Sequence, residues 1–596
     1  MKSRTSFCNG PVFRKDLTRF APAWGLYSVL LFLGYAGLMM GDAPYYRATS
    51  LGELTVAMAL VNFGFSFVNA QLLFGDLFSA RLCNALHAMP LRRECWYGTH
   101  LAAGITFSLM PNLVFCALGM LTMGLGKAWM MPLLWVLAST LQYLCFFGLA
   151  VVCIMLTGNR FASALVYGLV NFFSMLVYWL VTSLYEPLLT GIRVREESFA
   201  WFAPLVQMLG DDNLLDVLSQ RITDSYGDFS HHLILGVNLG EGWFWLAGYA
   251  VLGVLLLGVG LVLYRKRALE CAGDFMAFRG CEPVLLIVYT VTVGGCFHLF
   301  SDIFGGVMKY LLLTVGLAVG FFTGLMLLQR TTRVFRLRAF GAFGLFAAVM
   351  ALSLGLTWLD PLGITRWVPE ADQVASVNLS DRYQHYSYSE GDLDLTEGAD
   401  IQAVVEAHAY MIGRTAKDEM LEYGSNRTKN VCLEYTLKNG RTVIRFYDVN
   451  VLNDAGQALK PYFSSFEYVM GFREEEIPVL AKKVFQINAQ GTQNNYEEFL
   501  VQMQALDMEE MLRCIAADCA AGTMAQSEYY HLQTDPISGD LMLEQSTYLE
   551  IGFDEPVLSS GGSIRDYRYL TVFDDSINTL NWMIENGLYD PDKNLG

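Results

Sequence analysis

The chain has 596 residues, 54% of them hydrophobic, and a positive mean hydropathy. A composition that apolar excludes an ordinary soluble enzyme or a disordered chain and points to the membrane class. The net charge of −17 is unevenly spread: residues 360–596 carry about −22 and residues 1–359 about +5, so a slightly basic apolar part precedes an acidic part that reads as soluble.

The first element is "NGPVFRKDLTRF" (9–20). Phe13, Leu17 and Phe20 recur at i, i+4, i+7 with Arg14, Lys15 and Arg19 on the other faces, while Asn9 suits a cap and Pro11 a first turn. This predicts a helix lying in the membrane interface. Runs that meet the spanning criterion of about 20 residues follow at about 21–41, 54–74, 100–123, 131–156, 162–185, 243–264, 283–300, 308–328 and 339–359. With the N-terminus inside, the inner segments hold about 17 Lys and Arg and the outer loops before residue 360 about six, the expected bias. The seventh run is short and ends in His298 and Asp302. Losing it would move the C-terminal part across the membrane.

Three stretches within this series call for a specific explanation. On the second span Asn62, Ser66 and Asn69 form a polar stripe at i, i+4, i+7. Polar groups in a bilayer need partners inside the protein, so the stripe is either helix-to-helix glue or the lining of a translocation path or dimer seam. Asn112, Gln142 and Asn171 carry the same two alternatives. Between the second and third spans lies "GDLFSARLCNALHAMPLRREC" (75–95). Phe78, Leu82, Leu86 and Met89 make an apolar stripe, Arg81, Asn84 and His87 lie off it, and Pro90 stops the helix. Asp76, Arg81, Arg92 and Arg93 would cost about 3 kcal/mol each at mid-bilayer, so this segment stays outside the hydrocarbon, on the inner side. Finally, "WFAPLVQML" (201–209), within the outer loop 186–242, is apolar but too short to cross. It suits a piece that dips into the outer leaflet or covers a pore mouth.

From about residue 360 the pattern changes. "LKNGRTVIRFYDV" (437–449) has Asn439-Gly440 between β-rich runs, a hairpin signal. Residues 400–412 read as an amphipathic helix through Ile401, Val404, Val405, His408 and Ile412, and 496–520 as another. "YRYLTVFDDSINTLNWMIENG" (567–587) reads as a strand and then a helix ended by Gly587. The expected fold is a polytopic α-helical membrane protein of about nine spans, N-terminus inside, with a C-terminal α+β extracytoplasmic domain.

Motifs for chemistry are missing. "GLGKAW" around Lys127 lacks both the leading glycine and the hydroxyl of a phosphate loop, and there is no H-E-x-x-H, no paired metal-ligand spacing and no G-x-S-x-G. His231-His232 reads as a solvated loop and Glu474-Glu475-Glu476 as a solvated face. The twelve cysteines, without a C-x-x-C pair, read as free thiols. No metal, cofactor or nucleic-acid partner is expected, and the chain should not hydrolyse ATP.

The order of the parts then becomes informative: a basic amphipathic helix, two spans, a short inner helix with a Pro-basic tail, three spans, an outer loop with short apolar pieces, and a sixth span ending in "YRKR" (264–267). This resembles the membrane subunit of a type-2 ABC (ATP-binding cassette) exporter. "FSARLCNALHAMPLRRECWYGTHLA" looks like that family's local pattern: a polar start, a Leu-rich helix, a small-residue-Met-Pro step, then Arg before the third span. The resemblance covers residues 1–267. The additional spans of 268–359 depart from it, and the acidic domain 360–596 looks like an uncharacterised domain attached to such permeases in Gram-positive bacteria.

The resemblance implies that the helix at about 76–90 is a coupling helix docked on a separate cytoplasmic ABC ATPase. Its contact residues would be Arg81, Leu82, Asn84, Leu86, His87, Met89, Pro90, Arg92 and Arg93, although the last two also suit anchoring to lipid headgroups. It further implies a second permease half, identical or related, and export across a bacterial cell membrane with ATP spent by the partner. The competing expectation is a sensor whose outer domain binds a ligand or wall component and signals inward. A membrane-bound hydrolase is disfavoured because no nucleophile-base or metal constellation is legible.

Overall fold

The computed structural model describes residues 8–39, 44–89, 91–123, 129–194, 197–210, 214–223, 229–240, 242–300, 306–380, 392–413, 428–450, 454–489, 506–525, 532–534, 541–543, 546–553, 566–573 and 575–589. Asn9 accepts from the Val12 N–H and caps α1 (Gly10–Arg19), with Pro11 in the first turn, as the sequence predicts. α1 meets α2 (Ala21–Met39) at a bend of 59°. α3 (Pro44–Leu73) begins well before the apolar run at 54, because the helix continues through Arg47 and Glu53 where hydropathy alone stops. A 3-10 turn (Gly75–Phe78) leads into α4 (Ala80–His87), shorter than the expected 76–90. Then come α5 (Arg93–Met123), α6 (Met131–Leu156) and α7 (Arg160–Leu184).

The loop that follows holds α8 (Glu197–Ala200), α9 (Pro204–Gly210) and a hairpin, β1 (Leu215–Thr223) with β2 (Phe229–Leu239), that the sequence did not announce. α10 (Gly242–Lys266), α11 (Glu282–Leu299), α12 (Gly306–Gln329) and α13 (Leu337–Leu359) complete the apolar series. Among the described residues eight helices are long and apolar enough to cross a membrane, or nine if the bent pair α1–α2 counts as one span. The chain is a multi-pass helical membrane protein.

The chain divides into two compact units, Met1–Val181 with Arg195–Leu352, and Thr182–Val194 with Ser353–Gly596. In the first, α6 is the central helix, burying side chains all round. It meets α10 backbone to backbone: a Cβ on Gly148 would strike the Gly253 carbonyl, and a Cβ on Gly253 would strike that of Leu144. Small residues are how helices approach this closely in lipid, where no hydrophobic force draws them together. α1 is held to α5 by a buried Asp16–His100 pair at 2.8 Å and by Asn9 N–H donating to Thr99 Oγ1 at 2.9 Å.

The second unit carries two four-stranded antiparallel sheets. The first has order β4-β3-β5-β6, from β3 (Val374–Ser380), β4 (Asp392–Leu395), β5 (Thr428–Leu437) and β6 (Thr442–Asn450). β5 and β6 form the hairpin read at Asn439-Gly440. On this sheet pack α14 (Gly398–Gly413), the helix expected at 400–412, and α15 (Asp454–Phe463). After the short helices α16 (Phe466–Met470) and α17 (Ile477–Leu480), the second sheet has order β7-β11-β12-β8. It is made of β7 (Val484–Ala489), β8 (Met524–Ala525), β11 (Ser546–Phe553) and β12 (Asp566–Phe573), with β9 (Leu532–Thr534) and β10 (Leu541–Leu543) as a separate pair. α18 (Met508–Ala521) and α19 (Ile577–Glu585) cover it. The expected helix at 496–520 is thus α18 from 508; its start at 496–505 lies outside the described residues. The buried Asp518 of α18 ties the two helices, accepting from the N–H groups of Asn578 and Thr579 in the first turn of α19.

His408 on α14 is fully buried between two tyrosines of the sheet. Tyr435 Oη lies 3.0 Å from its Nδ1 and Tyr447 Oη 2.9 Å from its Nε2. Burial first, then the nearby Arg445 guanidinium, hold its pKa down to about 4. Above pH 6.5 the imidazole is neutral folded and unfolded. As the pH falls below 6.5 the unfolded chain takes a proton that the folded one refuses, so stability drops, levelling once the pH passes about 4. The loss should reach about 3 kcal/mol. Amide exchange of β5 and β6 measured from pH 7 to 5, above most carboxylate titrations, should show this slope, and His408→Gln should flatten it.

Candidate functional site: the α4 segment and the buried polar network

α4 turns one side inward and leaves the other open. Leu77 in the turn before it and Cys83 within it are buried, and Phe78 packs on the core, leaving the stripe read from the sequence. Arg81, Leu82 and Asn84 face outward, as does Met89 just beyond the helix. Leu82 and Met89 are 48% and 46% exposed, which marks an apolar face turned away from the protein's own core. His87 ends the helix; the side chains of Leu86 and His87, and Pro90 altogether, lie outside the described residues. Of the two following arginines, Arg92 is exposed, whereas Arg93 is spent inside the chain: its Nη1 donates to the carbonyls of Arg265 and Arg267 at the end of α10.

The stripe on α3 is buried to the last residue. Asn62, Ser66 and Asn69 are all 0% exposed and bonded between helices of one chain. Asn62 Nδ2 donates to Ser139 Oγ at 3.1 Å and Gln142 Oε1 at 3.0 Å on α6, and its Oδ1 accepts from Tyr27 Oη of α2 at 3.2 Å. Tyr27 also reaches Asn112 Oδ1 of α5 at 2.9 Å, and Asn112 Nδ2 donates to Ser139 Oγ at 3.2 Å. Gln142 Nε2 closes the set on the Thr55 carbonyl at 3.0 Å. Below this knot, Ser66 donates to the Tyr143 carbonyl and Asn69 to Tyr143 Oη, which itself donates to the Gly104 carbonyl at 2.7 Å. Asn112 and Gln142 thus join the stripe, while Asn171 stays on its own helix, donating to the Tyr167 carbonyl. For Asn62, Ser66, Asn69, Asn112 and Gln142 the hydrogen bonds run between helices; for Asn171 they do not.

Sequence reading missed Tyr27, Ser139 and Tyr143 because a tyrosine in an apolar run passes for an aromatic and Ser139, unlike Ser66, does not stand between two asparagines of one stripe. The available signal was that a tyrosine hydroxyl in lipid also needs a partner. Gln142 has a second position as well: with Gln207 of α9 and Trp245 and Tyr249 of α10 it lines a small cleft. Among the described residues no group of three His, Cys, Asp or Glu side chains is placed to hold a metal ion.

A third feature lies in the second unit. β6 is an edge strand, and its Phe446 N–H donates to the Gly191 carbonyl at 3.1 Å. Gly191 has φ +75°, and a Cβ there would strike Tyr447 Oη, the hydroxyl that bonds His408. Arg193 pairs with Asp448 at 3.4 Å and lies over the Phe446 ring. The strap Thr182–Val194, which continues α7, therefore covers the open edge of the sheet.

These features define a class: a multi-pass helical membrane protein with an α+β C-terminal unit and an outward-facing amphipathic helix between two of its membrane helices. Comparison with protein-family models, curated proteins and solved structures finds no match to this chain.

Asn62→Ala should destabilise the protein in detergent by about 1–3 kcal/mol for the buried partners it orphans. Because Asn62 and Gln142 share one network, the Asn62→Ala, Gln142→Ala pair should cost less than the sum of the two single changes in the same thermal-unfolding assay.

Proposed function

We propose that the chain is the permease subunit of an ABC transporter of the type-2 exporter kind. It moves an unidentified substrate outward across a bacterial cell membrane, using ATP hydrolysed by a separate cytoplasmic ATPase that grips α4. The observation that carries this reading is the open face of α4. Leu82 and, just beyond the helix, Met89 expose apolar surface beside Arg81 and Asn84 on a segment too charged for lipid and fixed from behind by Cys83. Such a mixed apolar and basic face suits a protein partner better than water or hydrocarbon. Arg92, exposed beside it, can contribute to the same surface or anchor to headgroups.

With the N-terminus inside, the basic ends of α1 and α10 and the arginines around α4 fall on the cytoplasmic side. Four apolar helices, α10 to α13, lie in the chain between the strap and the rest of its unit, an even number that supports one side for both, and the basic bias favours the outer one. In agreement, Tyr185 Oη and Ser353 Oγ meet at 2.7 Å, joining chain segments that this count assigns to the same side. The short α11 is needed for that parity. A second permease half, identical or related, completes the route. The cleft that Gln142 lines together with residues of α9 and α10 is where a path for substrate would open on one half.

ATP binding would close the ATPases and displace α4, shifting the balance between inward-open and outward-open states by the difference in affinity for the two. Leu82→Asp with Met89→Asp tests the docking. Both sites are exposed, so stability should change by no more than about 0.5 kcal/mol. Co-purification of the cognate ATPase should be lost, and retained assembly would count decisively against α4 as the handle.

One observation favours a second reading, a sensor: the strap binds the C-terminal sheet directly to the end of α7. Gly191→Ala, which crowds Tyr447 and strains a positive φ by about 1–2 kcal/mol, should loosen it. A transport engine should keep its stimulation of the ATPase when the strap loosens; a sensor should lose its inward response.

A further inference from the structure

Arg267 is the residue immediately after α10, and only 5% of it is exposed. Its guanidinium is spent on backbone. Nη1 donates to the Ile154 and Met155 carbonyls at 2.7 and 3.1 Å, and Nη2 to the Leu77 carbonyl at 3.4 Å. The first two acceptors lie in the last turn of α6, where carbonyls lack partners within the helix and the helix dipole favours a cation. The third lies in the 3-10 turn that feeds α4.

The other flank of α4 converges on the same point. Arg93, the first residue of α5, donates to the Arg265 and Arg267 carbonyls at 3.3 Å each, and Arg265 pairs with Glu94 at 3.1 Å. Between the flanks, Cys83 sits 2% exposed on the inward side of α4, and Cys271, 7% exposed, lies in the turn just beyond Arg267. Both ends of α4 therefore hang on the end of α10, the helix packed backbone to backbone against α6.

We propose that Arg267 is a positioning residue that carries displacement of α4 into the α6–α10 pair. The coupling role rests on the reading of α4 as the ATPase handle; the clasp itself does not. A planar fork of five donors can hold carbonyls of two separate segments at once, and this is what makes the two segments move together. A lysine keeps the charge but presents a single compact head, so it cannot hold all three acceptors in that geometry. Without the fork, the turn at Leu77 is released from α6, and a push on α4 is absorbed locally.

The test uses full-length protein carrying Arg267→Lys, with Arg93→Ala as a second variant that cuts the other flank and leaves the α6 carbonyls capped. Without any ATPase, maleimide labelling of the native Cys83, read by peptide mass spectrometry, should speed up about tenfold or more in both variants as the α4 segment opens locally. Amide exchange at 75–89 should rise with it. Unchanged labelling and exchange in Arg267→Lys would overturn the clasp. With the cognate ATPase, Arg267→Lys should bind it within about twofold of wild type, while permease-stimulated ATP turnover falls about tenfold or more. Parallel loss of binding and turnover would show that Arg267 only shapes the docking surface and would overturn the coupling role, as would unchanged turnover. If the wild-type protein recruits no ATPase, the handle reading and the coupling role fall together, and the labelling result still decides the clasp.

Discussion

Within hydrocarbon a polar side chain has no water to turn to, and that constraint organises the membrane part of this protein. Asn62 alone bonds to α2 and α6, and through Tyr27 and Ser139 the set reaches α5. Four helices that lipid would let drift are thereby fixed in register, since any slide along α3 breaks several bonds at once. Each bond is worth little by itself, but the cost of leaving its partners unsatisfied is larger, so the network acts through the alternatives it forbids. The close approach of Gly148 and Gly253 then adds α10 to the same assembly by contact rather than by hydrogen bonds.

The second unit solves a different problem, an open sheet edge in water. β6 would be a template for pairing with another chain, and the strap from the end of α7 takes that edge. The residue that allows it is Gly191, because the space a side chain would need is filled by Tyr447 Oη. The same hydroxyl holds His408, so edge protection and core polarity share one atom. The segment that follows α7 in the chain thus contributes to the stability of the acidic unit of which it is part.

Much of this was legible in the sequence wherever one residue type had only one comfortable use. Asn9 and Pro11 marked the start of α1, Asn439-Gly440 the β5–β6 turn, and the i, i+4, i+7 stripe on α3 the buried network. His408 fell on the apolar face of its helix and is indeed in the core. What escaped was set by tertiary partners. Nothing in the sequence singles out Asp16, and only the arrival of His100 from α5 gives it a place. The β1–β2 hairpin escaped because its strands are poor in β-branched residues and lack sustained alternation. The limits of α3 and α5 ran past the apolar runs because helix formation continues into the interface, where hydropathy no longer reports it.

The α4 segment shows why the same stretch could be read both as anchor and as handle. Its eight helical residues are divided by face: Cys83 is held inside, while Leu82 remains open. Its arginines divide in the same way. Arg93 is consumed by the end of α10, whereas Arg81 and Arg92 stay exposed. A segment serving only to anchor the chain would gain nothing from being clasped at both flanks, since headgroup contacts tolerate a mobile helix. A buried arginine bridging two backbone segments holds this stretch from behind while its front stays accessible, and it does so without adding apolar mass that would draw the helix into the bilayer.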